Sequence, residues 1–438
     1  MKVLALVFML LSATAMRAAD SSDTLRLTVE QALEIALNEN LNIKIAGAEL
    51  ERVDYLRQEN WYALLPSVGA SGQYSNNIMK PVFFSDFFPG GKMEVGSKHS
   101  YALAGTAQVP LFSMALYKNI EMSEIEIKAA LESARTTKLD LIQQVKNGFY
   151  GVVMMEESLD VLEQSYKNAL ESAENIRKMY EQGLASEYDK IRSDVAARNI
   201  SPTLTQARNG LELAKLQLKI LLSLPLSQEI AIEGSFEHFS GLMLNYSSGV
   251  LDVEQNSNLK TVDIQLERLN KTYELIRSQR LPMLAGFANY QMQMQNEEFN
   301  FNKPWANSLA VGLSLQIPIF NKLSISLKEK QTKVGIRQLE YQRTLLKESL
   351  TLSAINSVNE MKRAGAQLKS DREAVEQAMK GYEISKVRYN TGAGTVLEMN
   401  DSEVALTRSR LNYTQTLYDF IKAKNEYEKV IGKENLEK

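Results

Sequence analysis

The chain has 438 residues, a formal net charge of -3 and no cysteine, so disulfide bonds and thiolate metal sites are excluded. Because the charge is close to neutral and no basic patch alternates with aromatic side chains, nucleic acid is not an expected partner. The sequence contains no nucleotide-binding glycine loop and no catalytic constellation, and it therefore predicts neither an enzyme nor a bound cofactor or metal ion.

Residues 1–19 have the pattern of a secretory signal peptide. Lys2 precedes an apolar run at residues 3–11, and the small residues Ala13 and Ala15 then fit a cleavage site. This run is too short to cross a bilayer as a helix. We therefore expect export of the chain, and no later segment is apolar for long enough to predict a transmembrane helix.

The first helix of the exported chain is predicted to begin at Thr28 and to run to about Leu64. Thr28 and Gln31 have the spacing of a capping box, in which each side chain satisfies the other residue's backbone amide. Apolar residues recur along this segment at helical spacing. Pro66 then ends the helix, because its ring removes a backbone donor and restricts the preceding residue.

Residues 66–110 and 282–318 are each predicted to form a β-hairpin, because apolar and polar residues alternate there with a period of two. The first hairpin contains a long, phenylalanine-rich loop at residues 76–100. Each strand is about ten residues long with one apolar face, a pattern typical of outer-membrane β-barrels. The alternative is a soluble hairpin that buries one face. The aromatic residues expected at the membrane interface are Tyr74, Tyr101, Tyr290 and Trp305.

A very long helical hairpin is predicted after each strand pair. After Phe112 the helical period continues to Gln182, roughly 70 residues or about 105 Å at ~1.5 Å per residue. No single globular core covers such a helix, so we expect it to pack along neighbouring helices. In the returning segment, Pro202 is predicted to bend or break the helix, so that residues 199–202 join two stacked helices.

The chain is predicted to contain two copies of one plan, residues 20–224 and 256–438, separated by a connector at residues 225–255. The connector has no strong period and offers a short strand at residues 229–234. Each helical hairpin has a glycine-punctuated tip. The matching segments are Leu65-Pro66 with Leu281-Pro282, Val109-Pro110-Leu111-Phe112 with Ile317-Pro318-Ile319-Phe320, Asn38-Glu39-Asn40-Leu41 with Asn256-Ser257-Asn258-Leu259, and the tips 183–186 with 391–395.

This ordered duplicate resembles the TolC-like outer-membrane efflux proteins over essentially the whole mature chain. The resemblance implies a mixed α/β membrane protein with two internal repeats, in which long antiparallel helical hairpins form an α-barrel. It also implies a homotrimer whose protomers each give four strands to a 12-stranded transmembrane β-barrel. The residues alone predict only that copies must associate, because the smallest lipid-spanning barrels have about eight strands and open edges cannot face hydrocarbon.

The resemblance also assigns roles near the tips. Two acids that narrow the pore in this family match Glu398 and Asp401, although spacing alone is more typical of an exposed acidic turn. A phenol–carboxylate latch matches Tyr389 and Asp189, whereas the arginine of a second latch matches Gly394, so that second latch is expected to be missing. The residues matching the adaptor-facing tips are Gly183, Leu184, Ala185, Ser186, Gly392, Ala393, Gly394 and Thr395. The alternative for the tips is helix termination by glycine and nothing more.

The function implied is the outer-membrane exit channel of a tripartite efflux system. In this interpretation a passive trimeric conduit in outer-membrane lipid is coupled to an inner-membrane pump by a periplasmic adaptor, and its helical part extends into the periplasm. Two alternatives stay open from the sequence. One is the exit duct of a type I protein secretion system, and the other is a periplasmic coiled-coil adaptor or structural protein without a pore.

Overall fold

The computed structural model describes residues 24–84, 87, 90–236, 252–320 and 322–433. The predicted signal peptide, part of the 76–100 loop and residues 237–251 of the 225–255 connector lie outside the described residues. Among the helices described, none is long and apolar enough to cross a membrane.

Long helices and a few strands make up the described chain. In chain order the elements are β1 (Leu25–Leu27), α1 (Val29–Glu39), α2 (Leu41–Tyr62), β2 (Ser67–Asn76), β3 (Val82–Phe84), β4 (Lys92–Glu94), β5 (His99–Phe112), α3 (Met114–Glu181), α4 (Glu187–Leu221), β6 (Ile230–Ile232), α5 (Ser257–Ser278), β7 (Met283–Asn296), β8 (Ala306–Gln316), α6 (Ser324–Asn390) and α7 (Val396–Val430).

Two compact units divide the chain, and they do not coincide with the two sequence repeats. The first unit comprises Met1–Ile45, Arg135–Asn256 and Glu348–Lys438, and the second comprises Ala46–Ala134 and Ser257–Lys347. Each unit therefore takes segments from both halves of the sequence.

The second unit contains a four-stranded antiparallel sheet with the order β2-β5-β7-β8. Tyr74 pairs with Tyr101 between β2 and β5, and Tyr290 pairs with both Gly105 and Leu309. The strands are 10, 14, 14 and 11 residues long, close to the lengths that the alternating pattern predicts. The central pair β5·β7 joins the two predicted hairpins into one sheet.

The first unit has a continuous apolar core along the long helices. Val145, Phe149 and Val152 of α3 pack with Leu218 of α4 and Ile421 of α7, and all five are nearly or fully buried. The short strands β1 and β6 pair in parallel beside this core. Burial along the helix flanks agrees with the expectation that these helices pack against neighbouring helices.

The predicted uninterrupted helix from Thr28 to Leu64 is wrong, because Asn40 separates α1 from α2. The capping box at Thr28 is present, but Asn40 has an extended backbone and its Nδ2 atom donates to the Leu221 carbonyl at 2.8 Å. Asn256 makes the same bond to the Val430 carbonyl, also at 2.8 Å. The shared contact pairs Asn40 with Asn256, so the sequence alignment of Asn38 with Asn256 is two residues out of register.

The predicted break at Pro202 is also wrong, because α4 continues through this residue. A proline inside a helix removes one backbone hydrogen bond and crowds the preceding turn. Here the buried side chains Ala197, Leu204, Leu211 and Leu218 hold the helix against its neighbours on both sides of the proline. Burial over several turns offsets the loss of that bond.

Candidate functional site

Both tips of the helical hairpins are built from the same backbone motif. Gly183 has φ of 76° and Gly392 has φ of 74°, a left-handed conformation that favours glycine. The amide of Leu184 donates to the Met179 carbonyl at 2.8 Å, and the amide of Ala393 donates to the Arg388 carbonyl at 2.8 Å. These are the hydrogen bonds of a Schellman helix ending, which turns the chain back within a few residues.

A capping hydroxyl starts each returning helix. Ser186 accepts a hydrogen bond from the amide of Asp189 at 3.1 Å, and Thr395 accepts one from the amide of Glu398 at 3.2 Å. Asp189 and Glu398 therefore occupy equivalent positions in the first turn of α4 and α7. A carboxylate there interacts favourably with the helix dipole, so both acids have a local structural role whatever else they do.

A small apolar cluster, which we call the tip core, joins the two hairpins. Its buried members are Ile176 of α3, Tyr389 of α6, and Val396 and Met399 of α7. Tyr382 of α6 packs against this cluster together with Met179 and Ala185. The two tips of one protomer are therefore held by shared side-chain packing.

The predicted latch residues Tyr389 and Asp189 lie near each other without a hydrogen bond between them in the described structure. Burial raises the pKa of Tyr389, and the negative charge of Asp189 raises it further. The Asp189 carboxylate instead accepts a hydrogen bond from the Ser186 hydroxyl at 2.7 Å. Asp189 therefore influences Tyr389 electrostatically, while its carboxylate is hydrogen-bonded within its own turn.

The acids predicted to narrow the pore have different surroundings. Glu398 lies 3.7 Å from the Arg388 guanidinium, and both side chains are about half exposed. Arg388 also donates to the Ala393 carbonyl at 3.0 Å, which fixes it across the tip. Asp401 is exposed and lines a cavity between helices. Sequence reasoning missed Arg388, because its contact with Glu398 depends on the path of the intervening turn.

That cavity has a volume of about 640 Å³ and is formed by α3, α4 and α7. Glu403 is part of its wall, but the residue is only 6% exposed and its Oε1 atom has no hydrogen-bond partner among the described residues. Burial raises the pKa of Glu403 to about 7, and a hydrogen bond from Asn168 and the charge of Lys386 oppose this only in part. A buried carboxylate with an unpaired oxygen is costly, so it is a candidate functional group.

A sequence signal for the burial of Glu403 was available. Val396, Met399, Glu403 and Leu406 follow one another at intervals of three and four, which is the spacing of one helical face. All four are buried in the structure. An acid on an apolar stripe is unusual enough to mark this position.

The four aromatic residues predicted at the membrane interface do not share one environment. Tyr74 is exposed, and its hydroxyl lies 2.9 Å from Nδ1 of His99. Tyr101 is buried, and its ring centroid lies 6.2 Å from that of Phe299 and 4.8 Å from that of Phe301. Sequence reasoning did not single out these two phenylalanines.

The alternating pattern predicts that the strand beginning at Met283 ends at about Gln291, next to Tyr290, and this predicted end is wrong. β7 continues to Asn296, which puts Tyr290 in the middle of that strand. The continued alternation of Met292 and Met294 with glutamines was the overlooked signal. Trp305 is half-buried beside Ala306, the first residue of β8.

The sequence matches a family model described as outer membrane efflux protein over residues 32–222 and 252–433. It is 22% identical over 405 residues to the pyoverdine export outer membrane protein OpmQ of Pseudomonas aeruginosa, covering 86% of this chain and 82% of that protein. It is 21% identical over 412 residues to the solvent efflux pump outer membrane protein SrpC of Pseudomonas putida, covering 91% and 84%.

Solved structures with the same fold include VceC of Vibrio cholerae, with a TM-score of 0.72, 13% identity and coverage of 92% of this chain and 96% of that one. They also include the CmeC outer membrane channel of Campylobacter jejuni, with a TM-score of 0.76, 15% identity and coverage of 92% and 85%. The sequence identities are low, so this likeness concerns the fold.

Proposed function

Because the chain belongs to the outer membrane efflux protein family, we propose that it is the exit channel of a tripartite efflux system, a passive homotrimeric conduit coupled to an inner-membrane pump by a periplasmic adaptor. The protein is located in the outer membrane and belongs to a family of channels, not of enzymes. The family match argues against a pore-free adaptor.

The observation that carries this proposal is the incomplete sheet β2-β5-β7-β8. Its outer strands β2 and β8 each have only one neighbouring strand among the described residues. Val68, Leu309, Val311 and Leu313 lie on an apolar face and are each more than two-thirds exposed. Such a face suits lipid, but lipid does not tolerate an open strand edge. Three copies of the sheet supply twelve strands, enough to close a transmembrane barrel.

We place the narrow periplasmic end of the conduit at the tips. Three copies bring together six carboxylates from Glu398 and Asp401, and a ring of acids favours cations. The Arg388–Glu398 contact supports a modified version of this filter, because each protomer also contributes one positive charge beside its two acids. The tip positions Gly183, Leu184, Ala185, Ser186, Gly392, Ala393, Gly394 and Thr395 form the adaptor-facing surface in this proposal.

Tyr389 and Asp189 are proposed to hold the hairpins in the less conducting arrangement. The electrostatic influence of Asp189 on Tyr389 and the burial of Tyr389 support this role. The electrostatic effect of Asp189 on Tyr389 disappears when the two tips separate. Because the described structure has no hydrogen bond between these two residues, latching in this proposal depends mainly on the packing of the tip core.

The proposed function is tested by purifying the protein in detergent, measuring its oligomeric mass and recording conductance in planar bilayers. We expect a trimer that forms ion-conducting pores without nucleotide. A monodisperse monomer that inserts no pore under conditions preserving its helix content would refute the proposal. Co-purification with a periplasmic adaptor from the same cells tests the tripartite assembly separately.

A further inference from the structure

We propose that Glu403 is a proton-sensitive element in the joint between the two helical hairpins, and that its ionisation weakens their packing and raises the conductance of the channel. This inference rests on the proposed channel function and adds a regulatory group to it. It is distinct from the pair Glu398 and Asp401, which are both exposed near the tip surface.

The geometry around Glu403 favours its neutral form. The side chain extends from α7 into the contact with α3 and α6, where it is only 6% exposed. Asn168 of α3 donates a hydrogen bond to the carboxyl group of Glu403, but the Oε1 atom of that group has no hydrogen-bond partner among the described residues. A buried carboxylate needs a full set of donors or a cation to remain charged at low cost, and this site supplies only part of that set.

The charged groups facing Glu403 do not replace the missing hydrogen-bond donors. From α6, Lys386 reduces the effect of burial but forms no ion pair with Glu403 in the described structure, and its ammonium group lies 5.9 Å from the centroid of the Tyr382 ring. From α3, the negative charge of Glu171 acts on the same Tyr382. Arg192 of α4 and the pair Asp401 and Arg408 of α7 line the adjoining cavity. The described structure contains no ion pair between Glu403 and either arginine.

Tyr382 connects Glu403 to the tip core. Its ring packs against the cluster formed by Ile176, Tyr389, Val396 and Met399. Burial raises the pKa of Tyr382 to about 12, and the charge of Glu403 adds to the rise. The hydroxyl of Tyr382 therefore stays neutral across the physiological range, and Glu403 is the group at this joint that changes charge.

The sign of the pH effect follows from the raised pKa. Glu403 shifts from the ordinary value of 4.5 to about 7 in the packed joint, so the packed state holds its proton more tightly than a state with Glu403 in water. Packing is therefore strongest at low pH, weakens as the pH rises from about 5 to 7, and changes little above that. The ratio of separated to packed joints changes by at most about tenfold per pH unit in this window.

The adjoining cavity offers a route by which water reaches the carboxylate. It lies on the α4 side of α7 and borders Glu403 directly. A small separation of α7 from α3 joins this space to the buried oxygen, so hydration does not require the helix to unfold. The resulting movement is transmitted to the tip core through Met399 and Tyr382, which lie on either side of the joint.

The test compares wild type, Glu403→Gln and the exposed control Glu383→Gln in planar bilayers, with the pH on the side of the tips varied from 5 to 8. We expect the open probability of wild type and Glu383→Gln to rise several-fold between pH 5 and 7 and then to level off. Glu403→Gln should stay near the low-pH value throughout. A wild-type profile that is flat between pH 5 and 7, or an unchanged slope in Glu403→Gln, would overturn the inference.

A second measurement needs no variant. Amide hydrogen exchange of the wild-type trimer in detergent is followed at pH 5.5 and 7.5 and corrected for the intrinsic pH dependence of exchange. Peptides containing residues 399–407 should exchange faster at pH 7.5, whereas peptides around the buried Val145 should not. Equal protection at both pH values contradicts the inference, and proteins that form trimers without any conductance contradict the channel function itself.

Discussion

Replacing Arg388 with glutamine should make the proposed channel more selective for cations. Arg388 lies 3.7 Å from Glu398, so its positive charge offsets part of the proposed acidic ring. In a trimer the change removes three positive charges and leaves the six carboxylates in place. A unit charge about 10 Å from a permeating ion in water contributes about 0.4 kcal/mol, and three contribute about 1.2 kcal/mol before salt screening. Screening at about 0.1 M salt lowers this value.

We therefore expect a rise of about two- to eightfold in the cation-to-anion permeability ratio of Arg388→Gln, measured from reversal potentials under a salt gradient. Glu398→Gln should lower the ratio by a similar factor. The control is Arg372→Gln, which removes an exposed arginine paired with Glu376 at 3.6 Å on the same helix, away from the tip. An unchanged or lower ratio in Arg388→Gln, with the control at the wild-type value, would refute this account of the filter.

Three further changes test the packing on which the site depends. A Cβ atom added in Gly432→Ala clashes with the Gln255 carbonyl oxygen, whereas one added in Gly183→Ala meets nothing within 4 Å, and both glycines have a similar φ, 70° and 76°. Thermal unfolding should therefore show a clearly larger loss of stability for Gly432→Ala. Equal losses would contradict the close approach at Gly432. Asn40→Ala and Asn256→Ala each remove a bond to a helix-end carbonyl, so each should cost about 1–3 kcal/mol of unfolding free energy, and a negligible effect in both would exclude that role. Tyr389→Phe should raise the open fraction in bilayers if its hydroxyl contributes to the latch, and unchanged conductance would argue against it.

Local patterns predicted the elements well where one periodicity dominates. The alternation in β8 and the helical period of α3 each reflect an environment that repeats along the element, so each residue supports the same secondary-structure assignment. The predicted end of β7 next to Tyr290 is too early, because alternating glutamine and methionine is a weak signal for the continuation of a strand. The turn residues Gly183 and Gly392 were identified correctly as turns because a left-handed backbone favours glycine.

Such local patterns do not predict contacts between residues that are far apart in the sequence. Pro202 is a helix breaker by local chemistry, but buried side chains on both sides, Ala197 before it and Leu204 after it, keep α4 continuous. Asn40 interrupts a region with an unbroken helical period because its side chain bonds to Leu221, which is 181 residues away. The partners of Glu403 lie on two other helices, so its spacing on the apolar stripe predicted burial but not the unpaired oxygen.

The family resemblance predicts that the arginine of a second latch is replaced by Gly394, but the tip still carries a positive charge, that of Arg388. A Cβ atom at Gly394 would lie 3.0 Å from Cβ of Arg388 and 3.2 Å from Oε2 of Glu398, so a larger residue there presses on the Arg388–Glu398 pair. The small residue leaves Arg388 free to donate to Ala393 and to approach Glu398 within its own hairpin. We infer that the basic charge at this tip stabilises the turn of one protomer and tunes the proposed acidic ring. Holding neighbouring hairpins together then falls to the tip core, whose packing the protonation of Glu403 controls in our proposal.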